Sequence, residues 1–217
     1  MRTKVMWLFI VVLIFTLSGC AGKIDYARPT STPVLKNSVV VEKSKDEVWK
    51  IIIPALAKHF YVINNMDKES GIINISYAGD PEKYVDCGRI TSYVKNVRGE
   101  RTYDFPAAKA YQQYEIMTQG TLLNVRRTMN LEGRMNIVVE VIGPKKTKVT
   151  ANTRYILSRK AEIGDVRGRQ MTDTESISFN TGEEAGFSPK GKSGERITCH
   201  CTGEFEKDVL SVLLNLK

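Results

Sequence analysis

Residues 121–157, TLLNVRRTMNLEGRMNIVVEVIGPKKTKVTANTRYIL, decide the fold. Leu123, Val125, Met129 and Leu131 fall on one side of an alternating segment. Ile137, Val139 and Val141 fall on one side of the next, and residues 149–157 alternate again with Arg154 on the polar side. A period of two is the mark of strands with one face buried and the other wet. Glu132-Gly133-Arg134 and then residues 143–147 (GPKKT) supply turn chemistry between the segments, so the stretch predicts an antiparallel meander of short strands.

Working outward toward the N-terminus, residues 38–41 are a short β-branched run. Ser44-Lys45-Asp46-Glu47 then fits the capping box, with Ser44 as N-cap and Glu47 three residues on. The helix that follows carries Trp49, Ile53, Leu56 and Phe60 at helical spacing beside Val48 and Ile52, and Pro54 inside it predicts a kink. Residues 61–64 and 72–77 read as a hairpin around a turn at residues 67–71. Toward the C-terminus, residues 160–195 read as a long, mobile, Gly-rich connection. Ile197–Cys201 is a last strand, Thr202 a helix cap, and Phe205, Val209, Val212, Leu213 and Leu216 the buried stripe of a closing helix. The expected class is α+β: a curved antiparallel sheet with an N-terminal and a C-terminal helix packed on one face.

The spacing of Asp46, Trp49, Leu56, Phe60, Val62, Asp67, Gly71, Ile73 and Tyr77 resembles that of the helix-grip domains of outer-membrane lipoproteins, among them the C lipoprotein of the β-barrel assembly machinery. The resemblance covers residues 38–78 and, loosely, the final strand and helix. It implies a helix-grip fold, with room for one such domain.

The extreme N-terminus carries a second resemblance. Arg2 and Lys4 precede an uninterrupted apolar run at residues 5–17, a length suited to a signal-peptide core and too short for a spanning helix of about 20 residues. The run ends in Leu17-Ser18-Gly19-Cys20, which resembles the lipobox of bacterial lipoproteins. That implies cleavage after Gly19, a diacylglycerol on the Cys20 thiol and acylation of the new amino terminus. Several acyl chains on one residue make anchoring effectively permanent. Ala21 stands where inner-membrane lipoproteins of the enteric type carry Asp, so the resemblance implies the outer membrane, with the domain facing the periplasm. The expected organisation is a signal peptide at 1–19, a lipidated flexible tether at 20–37, and one domain at 38–217.

Composition adds a basic balance, 32 Lys+Arg against 24 Asp+Glu, which favours anionic neighbours such as lipid headgroups or an acidic protein face. With Cys20 committed to lipid, an oxidising periplasm permits Cys87 to pair with Cys199 or Cys201, and Cys199 is preferred. Residues 186–193 fit the phosphate-loop spacing G-x-x-x-x-G-K-S, but polar residues precede them and Gly194 follows, so no nucleotide is expected. Cys199-His200-Cys201 lacks the gaps of a zinc knuckle, so neither metal nor cofactor is expected. No carboxylate pair or nucleophile constellation supports an enzyme. Nucleic acid rarely reaches an exported domain. Residues 98–119 mix aromatic and basic side chains, with Asp104 and Pro106 as the start of a short helix. There Arg101, Tyr103, Tyr111 and Tyr114 form the candidate interface, because Tyr and Arg are favoured at protein contacts. The expected function is a non-enzymatic adaptor or accessory subunit that binds an envelope protein. The alternative is a carrier of a lipid or small apolar ligand held between sheet and helix.

Overall fold

The computed structural model describes residues 21–30, 36–59, 61–188 and 195–214. Two very long strands organise it. β9 (Thr121–Gly143) and β10 (Lys146–Asp165) run antiparallel, paired from Gly143 with Lys146 to Leu123 with Asp165. Odd-numbered residues from 125 to 139 in β9 and from 147 to 161 in β10 are buried, the single parity that a sheet with one covered face requires.

The turn expected at Glu132-Gly133-Arg134 does not exist. β9 passes straight through it, with Gly133 opposite Tyr155 on one side and Tyr77 on the other. The glycine serves packing instead: a Cβ there would lie 2.6 Å from Cε1 of Phe205, whose ring lies flush on the bare backbone. The turn expected after it is present, with Pro144 and Lys145 between the two long strands.

Each long strand is flanked by two shorter ones. β8 (Tyr111–Thr118) and β4 (Ile72–Gly79) share the free side of β9. On the other side of the pair, β11 (Gln170–Asn180) and β2 (Ser38–Val41) share the free side of β10. β3 (Val62–Asp67) pairs with β4 in the expected hairpin, with Gly71 at φ +77° closing the turn. Two small sheets complete the chain. One joins β1 (Ala21–Ala27), β6 (Arg89–Asn96) and β7 (Gly99–Pro106) in the order β1-β6-β7. The other joins β12 (Glu184–Phe187), β13 (Ile197–Cys201) and β5 (Val85–Asp86).

The helices cover one end of the inner face. α1 (Lys45–Ala57) opens on the complete capping box of Ser44 and Glu47, contains Pro54, and buries Val48, Ile52 and Leu56. α2 (Glu204–Leu214) buries Phe205, Val209, Leu210 and Leu213, and the Thr202 hydroxyl accepts the Glu204 N–H at 3.3 Å. Tyr155 donates one bifurcated hydrogen bond to the Glu206 carboxylate, 2.8 Å from each oxygen, and Thr181 donates to Oε1 at 2.7 Å. Glu206 is only 1 % exposed, so these hydroxyls replace the water it gave up. Burial first, and the neighbouring carboxylate second, push the Tyr155 phenol above its ordinary range. Tyr155→Phe is expected to cost about 1.5–3 kcal/mol in a urea melt, the range for a hydrogen bond to a buried charge.

These elements overturn the expected class. Among the described residues strands hold 63 % and two short helices 13 %, in several antiparallel sheets, so the fold is mostly β and not a helix-grip α+β arrangement. The helix-grip pattern rested on α1 and one hairpin, which are present, while the sheet they lie on extends far beyond them. Three further expectations are corrected. Ala21–Ala27, expected as tether, is strand β1, hydrogen-bonded in register to β6. Residues 160–195, expected as a mobile connection, hold the end of β10 and all of β11 and β12. Asp104 and Pro106, expected to start a helix, lie in β7. Cys20, Phe60, residues 189–193 of the phosphate-loop pattern, and Leu216 lie outside the described residues.

Candidate functional site

The outer face of β8, β9, β10 and β11 is a polar array. Register places Tyr111, Thr128, Lys160 and Thr174 in one row across the four strands, and Asn130, Ser158 and Ser176 in the next. All lie on the parity that faces away from the core. The rows dip into a concavity of about 190 Å³, with the Ser158 and Ser176 hydroxyls 2.9 Å apart on its floor. Pockets that enclose small molecules are usually about 300–1,000 Å³, so this surface suits contact with a larger partner better than capture of a ligand. Tyr111, 53 % exposed, lies one strand away, paired with Thr128 of its lining.

β11 forms one boundary of this face. Its eleven residues hold register with β10 without a bulge, contain no Lys and no Pro, and among the described residues pair with no second strand. At the other edge of the large sheet, β3 is shorter and carries an irregularity between Ile63 and Asn65, a feature that blunts a sheet edge.

The four residues expected to form an interface do not form one surface. Tyr114 points inward and packs on Phe105 with ring centroids 5.0 Å apart, and burial raises its phenol. Arg101 is half-buried and bonded to Glu115 at 2.5 Å, which holds the guanidinium above its ordinary value. Tyr103 lies against the same pair; burial, then the Glu115 charge, raises its phenol. Tyr111 alone is open to a partner.

Beneath the array lie two arginines in the core parity. Arg159 pairs with Asp173 at 3.1 Å and Glu175 at 3.0 Å, its guanidinium 4.6 Å from the Phe187 ring centre. Arg127 is 2 % exposed, with its guanidinium 5.1 Å from the Phe105 centroid and one long hydrogen bond, 3.4 Å, to the Pro106 carbonyl. Among the described residues no carboxylate is recorded against it. Burial pushes Arg127 down to about 10, opposed in part by Tyr114 and aided to a lesser degree by the Arg159 charge. A base lowered on folding binds its proton less tightly when folded, so it weakens the fold at neutral pH and stops doing so as pH rises from about 10 toward 12.5. Arg127→Met is therefore expected to raise stability by about 1 kcal/mol or more at pH 7, and to flatten the stability profile between pH 9 and 12. Equal profiles for the two proteins in urea titrations would contradict it. The odd parity that Arg127 shares with Val125 and Met129 was the signal for its burial.

Cys87, just beyond β5, is bonded to Cys199 in β13, which fastens that small sheet across a separation of 112 residues. Cys201 is a free, buried thiol, raised chiefly by burial and so a poor nucleophile. His59 stacks on Tyr61, His200 is buried in β13, and among the described residues no cluster has the makings of a metal site. Gly186 and Phe187 of the phosphate-loop pattern lie in strand β12, paired with β13, and the rest of the pattern from residue 189 lies outside the described residues. No described helix is long and apolar enough to cross a membrane. Comparison with protein-family models, curated proteins and solved structures returns no match.

Proposed function

We propose that this chain is a lipid-anchored, non-enzymatic envelope protein, held on the outer membrane by Cys20 and facing the periplasm. Its β-domain acts as an adaptor that accepts an extended segment of another envelope protein as an added strand. The observation that carries this is the edge of β11: eleven residues in unbroken register without lysine, proline or bulge, its inward carboxylates Asp173 and Glu175 paired with Arg159. Backbone groups along that edge would supply affinity, and the hydroxyl rows with Tyr111 would read the incoming side chains. We favour the adaptor over the carrier because Val48, Ile52, Leu56, Phe205, Val209 and Leu213 are buried together in the core that the helices cover.

The test is photo-cross-linking in cells from benzoylphenylalanine placed at Ser176. A discrete adduct with an envelope protein is expected. The pair Thr172→Lys and Thr174→Lys, which arms the edge with charge, is expected to cut that adduct at least fivefold. No adduct, or the same adduct in the lysine variant, contradicts strand addition at β11.

A further inference from the structure

Three turns gather at the end of the molecule where β1 begins. Ala21 is paired with Lys95, one residue from the β6–β7 turn at Val97 and Arg98. Gly22 lies against Met117, which is paired with Leu122 beside the β8–β9 turn at Gln119 and Gly120. Leu123 is paired with Asp165, where the β10–β11 turn of Val166, Arg167 and Gly168 starts. The β8 and β10 ends are two strand spacings apart, ~10 Å. Cys20 is bonded to Ala21, and successive Cα atoms are ~3.8 Å apart, so any acyl chain on Cys20 leaves from this same end. A free tether over residues 20–37 could hold a domain tens of ångströms from a bilayer at ~3.3 Å per residue. With β1 hydrogen-bonded from Ala21 onward that slack is gone, and this end is held at the headgroups.

Its side chains suit that place. Val97 is 98 % exposed and Val166 72 % exposed, one apolar residue at the tip of each turn. Beside them Arg98 and Arg167 are exposed, and no ion pair is recorded for either side chain among the described residues. The neighbouring cations are neutralised: Lys23 by Asp25 at 2.9 Å, Lys95 by Glu100 at 2.6 Å, and Arg169 by Asp165 at 2.6 Å. An apolar tip flanked by an open guanidinium matches the boundary where acyl chains meet anionic headgroups. We infer that the β6–β7 and β10–β11 turns form a second, noncovalent contact with an anionic bilayer, through Val97, Arg98, Val166 and Arg167. This contact rests on the anchoring proposed above. It fixes the long axis of β9 and β10 away from the membrane and carries the β9–β10 turn ~70 Å outward, at ~3.3 Å per residue of a 23-residue strand.

The experiment uses the acylated protein in phosphatidylglycerol-containing vesicles. A fluorophore is attached to cysteine at Val97→Cys, Val166→Cys or Lys145→Cys, the last at the far turn, with the unsubstituted chain as blank for Cys201. Quenching by headgroup-level spin-labelled lipid is expected to be at least threefold stronger at the first two positions than at the third. Adding Arg98→Glu and Arg167→Glu is expected to halve it or more. Equal quenching at all three positions on protein that floats with the vesicles overturns the contact and leaves the anchor standing. Undiminished quenching after charge reversal removes the arginines from it. Protein that does not float at all refutes the anchor, and the contact with it.

Discussion

Serine at both Cys87 and Cys199 is expected to lower the unfolding free energy by about 4–5 kcal/mol. The bond closes a loop of more than a hundred residues, and in the chain-entropy model the unfolded state of the bridged chain loses that much freedom. A chain of this size shifts its melting temperature by about 2–4 °C per kcal/mol, so a loss of roughly 10–20 °C is expected. The local stakes are also high: β5 is two residues long and β13 five, too short to hold a sheet without help. Cys201 is buried with its thiol raised, so it should not replace either partner. Thermal melts of the wild type with and without reductant, beside the double serine variant, check this. Coincidence of the reduced wild type with the variant is expected, and three identical melts contradict the bond's role.

Gly133→Val is expected to cost about 3 kcal/mol despite the higher strand propensity of valine. The nearest atom to the new Cβ belongs to Phe205, a fully buried ring fixed among Tyr61, Tyr77, Tyr84 and Tyr155, and it has nowhere to retreat. A double-mutant cycle separates this cause from backbone strain. In a Phe205→Ala background the same change at Gly133 should cost nothing or stabilise, because the space beneath is empty. An unchanged penalty in that background places the cost in the backbone and removes the ring from the explanation.

Gly133 also marks where the sequence misleads. Glu-Gly-Arg reads locally as a turn, yet the odd-numbered series Leu123, Val125, Met129, Leu131, Met135, Ile137, Val139 keeps one parity straight across it. An unbroken parity is the signal of one long strand, and only the tertiary partner Phe205 explains why glycine interrupts it. The elements with purely local causes were legible: the capping box of α1, the β3–β4 hairpin, the turn at Pro144 and the stripe of α2. The pairing of Cys87 with Cys199, the preferred of the two that cysteine counting left, is the one present.

Two strands were illegible because their reasons are distant. β11 carries Asp173 and Glu175 on the face it turns inward, which spoils any apolar alternation; their partner Arg159 lies on another strand. β1 is held by distant partners: its ladder with β6, and Tyr26, whose hydroxyl donates to the Thr198 carbonyl at 3.1 Å and accepts its N–H at 3.0 Å. The candidate interface failed for a simpler reason. Tyr111 and Tyr114 share a face if a short helix starting at Asp104 and Pro106 runs through them, and strands put residues three apart on opposite faces.

The proposed function and the membrane contact both depend on acylation of Cys20, with β1 starting at the next residue. Metabolic labelling with radioactive palmitate tests this most directly, on the wild type and on Cys20→Ser, followed by membrane fractionation. Label in the wild-type band, none in the serine variant, and loss of the processed protein from the membrane fraction are the expected results. An unlabelled wild-type band, or a serine variant that fractionates as the wild type does, contradicts the account.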